Sequence, residues 1–338
     1  MRIGLDVMGG DNAPDAILDG AFASLEGLDN RDELVLVGDR AVIEAAIKGR
    51  GANNPRVTVV GTTQVIAMDE PPVEAVRSKK DSSLVVLAQM AGRKAHHPLD
   101  VMISAGNTGA CVTAAQMHVR RLAGVHRPGV AVTMPTFSGP VVLIDAGANL
   151  EAKPHHLAQY GIMGDVYARL VLGVQTPRIA LMNVGGEEQK GTSEMKMARD
   201  ALRADHTLRF IGYIEGRAVF NGEADVVVSD GLVGNVMLKL AEGLSEGIFK
   251  AIAREICQTD PALAKRFEPV VKKIYAKHDY HEYGAAPLLG VNGICLIGHG
   301  SSVARTITNT IVRSKQLLES RVNENITRRL DTARQPVA

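Results

Sequence analysis

The sequence predicts an α/β protein with a parallel or mostly parallel sheet covered by helices on both faces. Three observations carry this. Short apolar runs recur along the chain and end in glycine. Each is followed by a stretch with helical spacing of apolar residues. The runs are continuously apolar rather than alternating, as strands buried on both faces are.

The strands are expected at Ile3–Val7, Leu34–Val37, Val57–Val60, Val101–Ser104, Val130–Thr133, Val141–Ile144, Ile179–Val184, Phe210–Tyr213, Asp225–Ser229 and Ile294–Ile297. Helices are expected at Pro14–Leu25, Ala41–Lys48, Ser83–Lys94, Gly109–Ala123, His155–Leu172, Ser193–Ala204, Gly231–Ile256 and Ser302–Leu318. Strand-helix alternation of this kind builds parallel sheets. No repeat or low-complexity linker divides the chain, so residues 1–338 are taken as one catalytic domain with two lobes around a cleft.

The 338 residues are 46% hydrophobic and 22% charged, with a formal net charge of +1. That balance suits a globular enzyme and argues against a dedicated nucleic-acid binder. Three widely spaced cysteines, Cys111, Cys257 and Cys295, suggest a reducing cytosol rather than a disulfide framework. Asp6, Asp11 and Asp15 interrupt the place where a signal peptide needs apolar residues. No uncharged run is long enough for a transmembrane helix, so membrane contact would be peripheral.

Six glycine-containing turns follow strands: 6–11, 104–109, 145–149, 183–187, 229–235 and 298–302. In a parallel sheet such turns share the edge where ligands bind and helix N-termini point. Glycine admits close backbone approach; Ser, Thr and Asn cap helices and also donate to oxyanions. The turn at 104–110, "SAGNTGA", is the first choice for an anion, with Ser104, Gly106, Asn107 and Thr108 as ligands. The same Gly-Asn-Thr also suits a plain helix cap. Lys190 can add a point charge. His299, Ser301 and Asn235 are candidates for stabilising an oxyanion or protonating a leaving group, with Asp230 orienting one of them.

Missing motifs narrow the chemistry. GxxxxGK[ST], GxGxxG after the first strand, GxSxG and HExxH are all absent. No cofactor and no metal is expected. Asp6, Asp11, Asp145 and Asp230 suit orienting roles, or alternatively Mg²⁺ in a dehydrogenase. The adjacent pairs His96-His97 and His155-His156 suit surface or capping positions.

Residues 262–277 place Leu263, Phe267, Val270, Val271 and Ile274 at helical spacing, interrupted by Pro269. Lys265, Arg266, Lys272 and Lys273 lie among them. This basic amphipathic segment, with Arg77 and Lys79, is the expected contact for an acidic carrier protein or an anionic membrane.

"DVMGGDNAP" at 6–14, "SAGNTGA" at 104–110, "DAGAN" at 145–149, "NVGGEEQKG" at 183–191, "ADVVVSDGLVGNVMLK" at 224–239 and "HGSS" at 299–302 together resemble the bacterial acyl-ACP:phosphate acyltransferase family. The resemblance spans the chain in one order; Val7, Ala218, Leu232 and Ala285 depart from its pattern. It implies a three-layer α/β/α fold similar to phosphotransacetylases and isocitrate or isopropylmalate dehydrogenases. It implies transfer of a long-chain acyl group from acyl carrier protein to inorganic phosphate, the acyl phosphate then feeding glycerol-3-phosphate acylation. It also implies a cytoplasmic homodimer at the membrane periphery, working with a membrane glycerol-3-phosphate acyltransferase. Residues 240–283 are the expected helical element for dimer, membrane or carrier contact. A short-chain phosphotransacetylase, an isocitrate-type dehydrogenase and a non-catalytic membrane scaffold are the alternatives.

Overall fold

The computed structural model describes residues 1–259, 261–278 and 284–333. Its centre is an eleven-stranded sheet. The strands are β1 (Arg2–Asp6), β2 (Glu33–Gly38), β3 (Val57–Gly61), β4 (Val101–Ser104), β5 (Gly129–Thr136), β6 (Gly139–Ile144), β7 (Arg178–Met182), β8 (Arg209–Ile214), β9 (Val226–Val228), β10 (Ala286–Leu289) and β11 (Ile294–Ile297). Their order is β3-β2-β1-β4-β11-β10-β5-β6-β9-β7-β8.

Helices α1 (Asp15–Ser24), α2 (Arg40–Gly49), α3 (Pro72–Ser78), α4 (Ser83–Ala91), α5 (Thr108–Ala114), α6 (Pro154–Leu170), α7 (Ser193–Ala204) and α8 (Gly216–Phe220) lie between strands. The long α9 (Gly231–Thr259) and α10 (Pro261–His278) follow β9, and α11 (Ala304–Glu319) and α12 (Val322–Ala333) follow β11. Alternate strand residues face two separate apolar cores. Leu34, Leu36, Val142 and Ile144 pack with α1, α6, α7, α11 and α12; Val35, Val37, Val141 and Leu143 pack with α3, α4, α5 and α8. Burial on both faces is why the strands are continuously apolar.

The sheet is mostly parallel, but its two halves run in opposite directions. β1, β2, β3, β4 and β11 are mutually parallel, as are β6, β7, β8 and β9. Between them β10 is antiparallel to β11 and to β5, and β5 is antiparallel to β6. The six turns therefore do not follow one common strand direction, as a simple parallel sheet would require. They still converge, because the halves are slid lengthwise. The first residues of β10 pair with Ile297 and Leu296 at the end of β11; its last residues pair with Val130 and Gly129 at the start of β5. Ala131 in turn pairs with Ile144 at the end of β6. The carboxyl ends of both halves thus meet at one height, across β10.

Three local features differ from sequence expectation. β10 is only four residues long and contains Pro287, so it shows no strand pattern in the sequence. The helix expected to reach Ala123 ends in a π-helical turn at Ala115–Val119, after which Arg120 takes a left-handed φ of 70°. α10 runs through Pro269. The carbonyl left without a donor is that of Lys265, an exposed residue, so water can satisfy it.

Candidate active site

The convergence forms a cleft of about 390 Å³. Its lining mixes polar residues, Asp11, Thr108, Asn235, Lys239, Glu242 and His299, with apolar ones, Val130, Val132, Leu150, Leu238, Pro287 and Ile297.

The β1, β4 and β11 turns are tied to one another. The buried Asp6 carboxylate accepts from Ser104 Oγ at 2.7 Å and from Met8 N–H at 3.2 Å. Burial pushes its pKa up; the hydrogen bonds from Ser83, Ser104, Met8 and Gly9 offset part of the shift. Ser104 Oγ also accepts from Gly106 N–H at 3.1 Å. Gly10 holds a φ of 113°, and a Cβ there would lie 3.2 Å from the Ala105 and Gly300 carbonyl oxygens, so only glycine lets these turns close up. Asp11 N–H donates to the Gly300 carbonyl at 2.8 Å, and Asn12 donates to the carbonyls of Ser301 and Ser302.

Asn107 is buried and its amide is engaged. Oδ1 caps α5 by accepting from Ala110 N–H at 3.1 Å, while Nδ2 donates to the Met68 and Glu70 carbonyls. Its side chain therefore positions the turn. What the turn offers an anion is backbone: the N–H groups of Thr108 and Gly109, which the first turn of a helix leaves without internal partners.

The β6 and β9 turns are organised around Asp145, which is fully buried. Oδ1 accepts from the N–H groups of Val130, Gly147 and Ala148, and Oδ2 from Asn149 N–H and Nδ2, at 2.7–3.1 Å. Burial raises this carboxyl's pKa, and these donors oppose the shift. Asn149 Nδ2 also donates to Tyr160 OH at 2.8 Å, tying the turn to α6. A Cβ on Gly234 would collide with the Asp145 carbonyl oxygen, so α9 starts directly against this turn. Asp230 Oδ1 caps α9 by accepting from Val233 N–H at 2.8 Å. The cap sets the direction of the helix that carries Asn235 into the cleft.

His299 connects the two sides. Its Nδ1 accepts from Ser301 N–H at 3.1 Å and lies 2.6 Å from Ser301 Oγ. A backbone donor on Nδ1 leaves the proton of a neutral ring on Nε2. Nε2 meets Lys239 Nζ, and Lys239 donates to Glu242 Oε2 at 2.9 Å. Lys239 and Glu242 were not singled out by sequence reasoning. Their signal is spacing: Asn235, Leu238, Lys239 and Glu242 lie at i, i+3, i+4 and i+7 on one face of α9.

The structure brings Thr108, Asn235 and His299 into one cleft, with Ser301 behind His299. Ser104 and Gly106 belong to the same turn as Thr108 but are not among the residues described as lining the cleft. Lys190 is exposed on the 185–191 loop, paired with Glu187 at 2.8 Å, and is not among the residues described as lining the cleft. Arg77 is exposed, and Lys79 is half-buried on Glu70 and the Val65 carbonyl. Lys265, Arg266 and Lys273 are exposed on α10 and Phe267 is half-buried; the Lys272 side chain, residue 260 and residues 279–283 lie outside the described residues. His156 caps α6 by accepting from Lys153 N–H at 3.1 Å, and Cys111 is buried.

Residues 1–325 match the family model described as "Fatty acid synthesis protein". The chain belongs to this family. It is 44% identical over 335 residues to the phosphate acyltransferase of Desulfitobacterium hafniense, covering 98% of both chains. It is 40% identical over 325 residues to that of Bacillus subtilis, covering 95% of this chain and 96% of the relative. The chain is thereby an acyltransferase, and acyl transfer to or from phosphate is the chemistry that these relatives' name carries. Two solved structures share the fold. A phosphotransacetylase from Streptococcus pyogenes has a TM-score of 0.62 at 16% identity, with 94% of each chain covered. The EutD phosphotransacetylase from Staphylococcus aureus has a TM-score of 0.59 at 14% identity, covering 96% of this chain and 94% of its own.

Proposed function

We propose that this enzyme moves a long-chain acyl group from the thioester of acyl carrier protein to inorganic phosphate, reversibly and without a covalent enzyme intermediate. The carrying observation is the composition of the cleft, which brings backbone and side-chain donors together with alkyl surface. That pairing suits an anion meeting an acyl chain. The acyl phosphate would serve glycerol-3-phosphate acylation by a membrane enzyme.

Phosphate is anionic at neutral pH and needs placement more than deprotonation. Fixing it beside the thioester can replace an effective molarity of about 10⁵–10⁸ M. The proposed cradle is the backbone N–H pair of Thr108 and Gly109, in a turn held in place by Ser104, Gly106 and Asn107. A helix N-terminus adds roughly 0.3–1 kcal/mol for an anion. Lys190 is proposed as a mobile partner for phosphate. Its exposed pair with Glu187 is of a kind worth about 0–1 kcal/mol, so an incoming anion can displace it.

Attack forms a phosphate O–C bond and puts negative charge on the former carbonyl oxygen. His299 Nε2–H and the Asn235 amide are the proposed donors; one pre-aimed donor is worth about 2.7–4 kcal/mol. Collapse breaks the C–S bond. The Lys239 ammonium, held by Glu242 beside His299, offsets the charge on the leaving thiolate. Ser301 orients His299, and Asp230 orients Asn235 through the cap of α9.

The surfaces proposed for partners lie on α9 and α10, which pack together. Val236, Leu240, Leu244 and Ile248 form an exposed apolar row on α9, proposed as part of a homodimer contact. On α10, Leu263, Val270 and Ile274 are exposed among Lys265, Arg266 and Lys273, a face suited to carrier protein or an anionic membrane surface. Among the described residues, no helix is long and apolar enough to cross a membrane. Equal liposome flotation of wild type and a folded Phe267→Glu/Ile274→Glu variant would remove the membrane contact.

The deciding experiment is acyl phosphate formation from palmitoyl-ACP and phosphate in metal-free buffer, with palmitoyl-CoA alongside. Turnover with the carrier donor is expected. No turnover with either donor by folded protein would overturn the reading.

A further inference from the structure

The cleft borders a second space. Thr133, Tyr167, Ala285 and Pro287 line the cleft and also line a second, smaller cavity of about 110 Å³. Thr133 comes from β5 and Tyr167 from α6. Both are buried, and their hydroxyl oxygens stand 3.4 Å apart where the two spaces meet. On the far side of this pair the second cavity, called the inner cavity below, is walled by Val171, Leu172, Leu296 and Leu317, with exposed Arg313 and Gln316 on its rim.

The hydroxyls inside are already satisfied. Thr310 Oγ1 donates to the Thr306 carbonyl at 2.7 Å and accepts from Ala285 N–H at 2.8 Å. Ser314 Oγ donates to the Ile311 carbonyl at 2.7 Å. An alkyl chain entering here displaces none of these hydrogen bonds, so it loses nothing to unpaired polar groups. Each methylene it brings leaves water for an apolar wall.

We propose that the inner cavity receives the distal methylenes of the acyl substrate, and that the constriction of Thr133, Tyr167 and Ala285 sets chain-length preference. This rests on the acyl-transfer reading above. With the thioester carbonyl at His299 and Asn235, the chain runs down past Val130 and Val132. A short chain ends before the constriction; a long one must thread it. Pockets of this kind discriminate roughly 10–200-fold per misfitting methylene.

Ala285 is the position to vary. Its backbone N–H makes the bond to Thr310, and its half-buried methyl alone faces the change in size. The test measures kcat/KM for octanoyl, dodecanoyl and palmitoyl thioesters of acyl carrier protein at saturating phosphate. Wild type, Ala285→Leu and Ala285→Gly are compared. The palmitoyl-to-octanoyl ratio is expected to fall about tenfold or more in Ala285→Leu and to rise in Ala285→Gly. Equal scaling of all chain lengths in both variants overturns the proposal. Binding of unreactive octyl and hexadecyl thioethers of pantetheine is measured in parallel. Should the wild type transfer no acyl group at all, the functional reading fails on its own and the thioethers decide. Tighter hexadecyl binding that Ala285→Leu abolishes keeps the channel; length-independent binding overturns it.

Discussion

Asp6 and Asp145 do the same job on the two sides of the cleft in different ways. Both are buried carboxylates at the carboxyl end of a strand, and burial raises the pKa of both. Asp6 reaches across to Ser104 on another strand, whose hydroxyl can reverse its role. Asp145 gathers four backbone N–H donors, three of them from its own turn, and a backbone N–H cannot reverse its role. One wall is joined by an adaptable link and the other by a rigid one.

The largest expected effect tests that difference. Asp145→Asn puts an NH₂ group against N–H donors, and should cost about 3 kcal/mol or more, read by denaturant unfolding. Asp6→Asn should cost only about 1–2 kcal/mol, because Ser104 Oγ can accept from the new amide. Equal losses would break the comparison.

The two lysines extend the contrast to activity. Lys239 is paired with Glu242 inside the cleft, whereas Lys190 is exposed on a weak pair. Lys239→Ala should lower kcat about 10²-fold, within the range for removing one preorganised charge stabiliser. Lys190→Ala should mainly raise the KM for phosphate, by about tenfold, in steady-state assays with acyl-ACP. A Lys190→Ala enzyme with unchanged KM and kcat would remove that residue from the proposal.

The smallest effect concerns the support of the rigid wall. His156 caps α6, the helix whose Tyr160 meets Asn149. Burial, then the charges of His155, Arg127, His126 and Lys153, lower its pKa from 6.5 to about 4. The fold therefore favours neutral His156. That contribution is complete above pH 6.5 and is lost as pH falls toward 4. Melting temperature should fall over that window in wild type and more shallowly in His156→Gln.

Much of this site was legible in the residues. Turns rich in glycine and small polar residues mark strand ends whatever the topology, so the positions of Thr108, Asn235 and His299 could be read along the chain. Asn107 and Asp230 were legible only as residue types. A cap and a ligand use the same atoms, and the choice depends on neighbours such as Met68 and Glu70, far away in the chain. Lys239 and Glu242 looked like ordinary polar residues on a long helix; only the placement of His299 beside that face distinguishes them.

The sequence by itself determined the α/β class, most strands and helices, the polar turns and the family. Those features come from local periodicity and short motifs, which need no partner to be recognised. Tertiary structure alone decided that the half-sheets run in opposite directions, that β10 joins them with a lengthwise slide, and that the polar turns face an apolar channel. The physical reason is that strand direction and register are settled by pairing between distant segments, and nothing within a single strand records its partner.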